Sequence, residues 1–95
     1  MAARIGVLTL RLAVPGAQSL KQKRQVVQSL IVRIRSAFNV SVSEVDDHDL
    51  CQTATIAIAC VSNDRSAVNA MLSKAQELID KELRVQIQAV ALEID

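Results

Sequence analysis

The chain has 95 residues, enough for a single domain spanning 1–95 with a modest core. It is 51% apolar, which excludes a disordered chain, and no stretch approaches the ~20 apolar residues of a membrane span. The net charge of +1 argues for no particular partner, yet it hides an asymmetry. Residues 1–43 carry seven basic side chains and no acidic one, while residues 44–95 carry ten acidic and four basic. Such polarity marks a binding surface, self-association or charge complementarity between neighbouring elements.

Residues 4–14 alternate, with Leu8, Leu10, Leu12 and Val14 on one side and Thr9, Arg11 and Ala13 on the other. This is the pattern of a strand with one buried face. Arg11 interrupts the apolar N-terminus, which reads as a strand rather than a signal peptide, so the expected compartment is the cytoplasm. Pro15-Gly16 ends the strand. Ser19 followed by Gln22 is a capping-box pattern, and Val26, Val27, Leu30, Ile31, Ile34 and Phe38 then recur at helical spacing. A helix over about 20–37 follows, all of whose charges are basic. Lys21, Arg24, Gln28 and Arg35 fall within about 60° of one another on its flank.

Alternation returns over 39–45, and residues 46–49 form a polar break suited to a hairpin turn. Residues 50–61 are the longest β-run, small or apolar on both faces, as a central strand requires. Ser62-Asn63-Asp64 offers three N-cap residues, and Val68, Met71, Leu72, Ala75, Leu78 and Ile79 predict a second helix over 64–81. A last strand covers 84–94. Phe38 is the one aromatic residue, so Val, Leu, Ile and Ala must build the core. Cys51 and Cys60 fall in the same predicted strand, roughly 30 Å apart at ~3.3 Å per residue. A disulfide needs Cα atoms within about 7 Å, so both are expected to be reduced thiols.

The order β-α-β-β-α-β reads as a ferredoxin-like α+β sandwich. Two helices cover one face of a four-stranded antiparallel sheet of order 4132, with the first and third strands central. That topology sets the loop at 15–21 beside the hairpin 46–49, so Lys21, Lys23 and Arg24 face acidic residues there. The uncovered sheet face shows Thr9, Thr55, Ala57 and Ala59, a small and weakly apolar surface on which a second copy is expected, giving a homodimer.

Three separated motifs carry a family resemblance: Ser19-Leu20-Lys21-Gln22-Lys23-Arg24, the run from Phe38 to Val45, and Val61-Ser62-Asn63-Asp64. The chain resembles the YlxP-like (DUF503) family over essentially its whole length. The resemblance implies a bacterial protein of ferredoxin-like fold without an established function. Its members often lie near genes for translation initiation factor 2 and ribosome-binding factor A, which implies a role beside the translation machinery. Cys51 departs from the family, where a bulky aromatic residue usually follows position 50.

The chemistry-bearing candidates are few. Lys21, Lys23, Arg24 and Arg35, with the start of the first helix, form a candidate nucleic-acid or anion-binding stripe about 21 Å long at ~1.5 Å per residue. Base stacking in the manner of RNA-recognition motifs is unsupported, because the central strands carry no aromatic residue. Glu44, Asp46, Asp47, His48 and Asp49 read as an acidic hairpin rather than a metal site. Ser62, Asn63 and Asp64 read as helix capping. One His, two Gly and no phosphate loop leave no catalytic constellation, so neither enzyme activity nor a cofactor is expected. The expected function is association with RNA or the ribosome through the basic first helix. The alternative is a homodimeric interaction or scaffold module using the open sheet face.

Overall fold

The computed structural model describes residues 3–95. Its elements are β1 (Arg4–Ala13), α1 (Leu20–Ala37), β2 (Ser41–Asp46), β3 (Thr53–Ser62), α2 (Arg65–Asp80) and β4 (Gln86–Ile94). The strands form one antiparallel sheet of order β2-β3-β1-β4. This is the predicted 4132 order read from the other edge, and the fold is ferredoxin-like. β3 starts three residues later than the alternation predicts. Asp47 turns with a left-handed φ of 63°, a conformation Asp tolerates better than most residues, and the connection widens to 47–52. Cys51 therefore lies in the loop, half-buried, while Cys60 is buried in β3, and both are free thiols.

Period-2 and period-3.6 patterns meet in one core. Leu8, Leu10 and Leu12 of β1, and Ala54, Ile56, Ile58 and Cys60 of β3, point to the helices. They meet Val27, Leu30, Ile31 and Ile34 of α1, and Val68, Leu72, Ala75 and Ile79 of α2. Ser19 caps α1 by accepting from the Gln22 backbone N–H at 3.1 Å, and the Gln22 side chain accepts in turn from the Gln18 N–H at 2.6 Å. Of the three candidate caps before α2, Asp64 is the one used, accepting from the Ser66 N–H at 3.1 Å.

Gly6 sets how closely α2 settles on β1. A Cβ there would lie 2.3 Å from Val68 Cγ1 and 2.9 Å from Leu72 Cδ1. The helices do not cover the whole sheet, however. α1 sits over β2 and β3; α2 sits over β1 and β3 and less closely over β4. Val90 and Leu92, whose partners in β1 are the buried Leu10 and Leu8, remain 45% exposed. We expect Gly6→Ala to force α2 away from β1 and to lower stability by about 1–3 kcal/mol, read from the urea unfolding midpoint.

Candidate functional site

The first candidate surface is the basic flank of α1, whose sequence carries five cations and no carboxylate. Lys21 and Arg24 are exposed and form no ion pair among the described residues. Arg35 is exposed too, but its Nη2 donates to the Val42 carbonyl at 3.0 Å, committing part of the guanidinium to the free side of β2.

Lys23 does not belong to this surface, which corrects its place among the anion-binding residues. It is wholly buried, and its Nζ donates to Glu44 Oε2 at 3.0 Å and to the Asp47 carbonyl at 2.8 Å. The His48 and Thr53 carbonyls accept at 3.3 and 3.2 Å. Position 23 falls four and seven residues before the buried Val27 and Leu30, on the core side of the helix. The ammonium reaches the hairpin loop from there and finds acceptors that make burial tolerable. Part of the sequence expectation is met here, since a basic residue of α1 does face the acidic hairpin.

Besides Glu44, the Asp46 and Asp47 carboxylates are also occupied by neighbours. Asp47 Oδ2 accepts from Thr55 Oγ1 at 2.6 Å and lies 3.6 Å from Arg11 Nε. Asp46 Oδ1 accepts from the Asp47 N–H at 2.8 Å. Among the described residues, no three His, Cys, Asp or Glu side chains converge as a metal site requires. A second ionic cluster, which the sequence reading did not pick out, ties the turn after α2 to α1. Glu82 pairs with Arg33 at 2.6 Å and with Arg84, whose Nη2 also reaches Ser29 Oγ at 3.2 Å. The Arg84 hydrogen bond, opposed by burial and assisted by Arg33, lowers the Glu82 pKa from 4.5 to about 2.

The second candidate surface is the uncovered sheet face. Register places Thr9, Thr55, Ala57 and Ala59 on it, all partly exposed. It also places residues that alternation within single strands did not bring together. One cross-strand row reads Ser43, Ala57, Thr9, Ala91; the next reads Ser41, Ala59, Val7, Glu93. Val61 and Ile5 form the following row and are exposed at 66% and 45%. No helix is long and apolar enough to cross a membrane among the described residues.

The sequence model of the family described as "Protein of unknown function (DUF503)" matches residues 5–92. The chain belongs to this family. It is 34% identical over 76 residues to the "Uncharacterized protein YlxP" of Bacillus subtilis (strain 168), covering 80% of this chain and 83% of that protein. Among solved structures it is similar to the de novo designed protein Foldit4, with a TM-score of 0.54 and 10% identity. The match covers 98% of this chain and 96% of that one, and it speaks for the fold alone. Neither the family nor the Bacillus relative brings an assigned activity, so nothing in the comparisons points to catalysis.

Two predictions follow from the ionic clusters. Lys23→Met should cost about 3–5 kcal/mol in urea unfolding, because it leaves Glu44 and three carbonyls without their donor. Glu82 has a folded pKa below its unfolded value, so its pairs stabilise the fold above pH 4.5 and are lost as pH falls toward about 2. Glu82→Gln should accordingly flatten the acid limb of a stability–pH profile in that window.

Proposed function

We propose that the protein is a non-enzymatic, cytoplasmic binding module that associates with RNA, in the ribosome or its assembly intermediates, through the exposed flank of α1. The observation that carries this reading is a helix rich in cations and free of carboxylates, whose exposed Lys21 and Arg24 form no ion pair among the described residues. Cations left unpaired on one face attract a phosphate backbone and release its counterions on binding. Lys21, Arg24 and Arg35 together contact about three phosphates, which gives a salt slope near −2 on single-stranded RNA. The gene neighbourhood that goes with the family resemblance favours the ribosome as the source of that RNA. With no aromatic side chain on β1 or β3, recognition is electrostatic rather than by base stacking.

A second reading is a protein-interaction or scaffold module whose open sheet face docks another chain, a second copy in the simplest case. The row Ser43, Ala57, Thr9, Ala91 favours it, because four small side chains in line let another backbone approach closely.

Co-sedimentation with ribosomal subunits separates the two readings. The wild type should pellet at low salt and be released as salt is raised. Replacing Lys21, Arg24 and Arg35 together with Glu should abolish pelleting while the circular dichroism spectrum is retained. Ala57→Glu should leave it unchanged. No pelleting at low salt, or a triple variant that pellets as the wild type does, would refute the RNA reading.

A further inference from the structure

The sheet has two free edges, and they are unlike. β2 is six residues long, carries a register shift between Glu44 and Asp46, and has its Val42 carbonyl occupied by Arg35. Such features blunt an edge against pairing. β4 is nine residues long, contains no Pro or Lys, and has Glu93 as its one charged residue. Its irregularity falls near Gln88, between the pairs Arg11–Ala89 and Leu12–Ile87. Residues 89–94 are therefore a regular strand whose outer side no other strand covers among the described residues, and the Arg65 Nη1 reaches only its last carbonyl, that of Ile94, at 3.3 Å.

The hydrogen-bond phase of that strand is fixed by its end. The Asp95 N–H donates to the Ile5 carbonyl at 3.1 Å, so Asp95 faces β1. In an antiparallel ladder the direction alternates, so Glu93, Ala91 and Ala89 also bond to β1, while Ile94, Leu92 and Val90 turn their N–H and C=O groups outward. Arg65 takes the Ile94 carbonyl, so Val90 and Leu92, the two with 45% exposed apolar side chains on the helix side, are the outward residues whose N–H and C=O are both unpaired among the described residues.

We infer that β4 pairs antiparallel with β4 of a second copy of this chain about a two-fold axis at Ala91, joining the two sheets into one of eight strands. In this register Val90 stands opposite the second copy's Leu92 as a hydrogen-bonded pair, and Leu92 opposite its Val90. Ala91 meets itself, and Glu93 meets Ala89 rather than another carboxylate. Charge along the seam between α2 and β4 is complementary under the same axis. Near Ile94 the seam holds Arg65, Asn69 and Leu92; near Ile87 it holds Gln76, Glu77 and Asp80. The axis brings the Arg65 end of one copy beside the Glu77–Asp80 end of the other. Asp64 shares the Arg65 end, but its carboxylate is turned to cap α2, accepting from the Ser66 N–H and hydroxyl. A second copy fits because the edge is self-complementary in hydrogen bonding, apolar pairing and charge together. This interface is separate from the basic flank of α1, and it competes with the open face as the place where a second copy docks.

Light scattering on the full chain at tens of micromolar tests it, with twice the 10.3 kDa of one chain expected. Val90→Lys and Leu92→Lys, both at half-exposed positions, should each reduce the mass to one chain while the circular dichroism spectrum stays that of the wild type. Ala57→Glu should leave the pair intact. In a Cys51→Ser background, Ala91→Cys should cross-link on mild oxidation and Ala89→Cys should not. Facing Cα atoms of a non-hydrogen-bonded pair lie about 4.5 Å apart, within disulfide reach, whereas stacked sheet faces lie about 10 Å apart. A wild-type mass of one chain overturns the inference. So does a dimer that survives Val90→Lys, one that Ala57→Glu dissolves, or one in which Ala91→Cys fails to cross-link.

Discussion

The ammonium of Lys23 pins the loop of the β2–β3 hairpin to the start of α1. Four oxygens from three stretches of chain converge on it: the Glu44 carboxylate on β2, the Asp47 and His48 carbonyls in the loop, and the Thr53 carbonyl at the start of β3. A hairpin loop with two acidic residues beside an imidazole has little apolar surface with which to hold itself down. A buried cation holds it through its backbone instead. The shape of the loop follows from this, including the left-handed Asp47, whose carbonyl is one of the acceptors. Asp47 then passes the restraint on, because its carboxylate accepts from Thr55 and sits near Arg11 on the open face.

The architecture was legible because its signals are local. Alternation in β1 and β3, helical spacing from Val26 to Ile34 and from Val68 to Ile79, and Pro15-Gly16 as a stop all act within a few residues. Once six elements are in order, few antiparallel topologies remain. What failed was local in another sense. The start of β3 depends on a loop pinned by Lys23, twenty-four residues before Asp47, and no window around Cys51 reports that contact. Exposure along β4 was equally hidden. Val90, Leu92 and Ile94 have the periodicity of a buried face, but their cover depends on how far α2 reaches across the sheet.

The candidate sites divide along the same line. Lys21 and Arg24 are exposed, as their angular position on the helix is sufficient to make them. Lys23 shares their charge, but its spacing to Val27 and Leu30 puts it on the buried stripe. The small residues of the open face were found strand by strand, yet the line joining Ala57, Thr9 and Ala91 needed the register. Arg35 carries the signal of a ligand-binding cation, and its contact with Val42 needs the placement of β2 against α1.

That last contact bears on how a crowded solution of this protein behaves. A sheet with two usable margins invites head-to-tail addition without end, and the product is a fibre. Here the Arg35 guanidinium occupies a carbonyl in the middle of one short margin, and the register shift beyond Glu44 breaks the regular ladder a newcomer would need. With β4 pairing as inferred above, growth is left to a single side, and an object that is sticky on one side stops when that side is covered. Under the proposed β4 pairing, a side chain that reads as bait for phosphate would also act as a terminator, favouring a closed particle over the seed of a polymer.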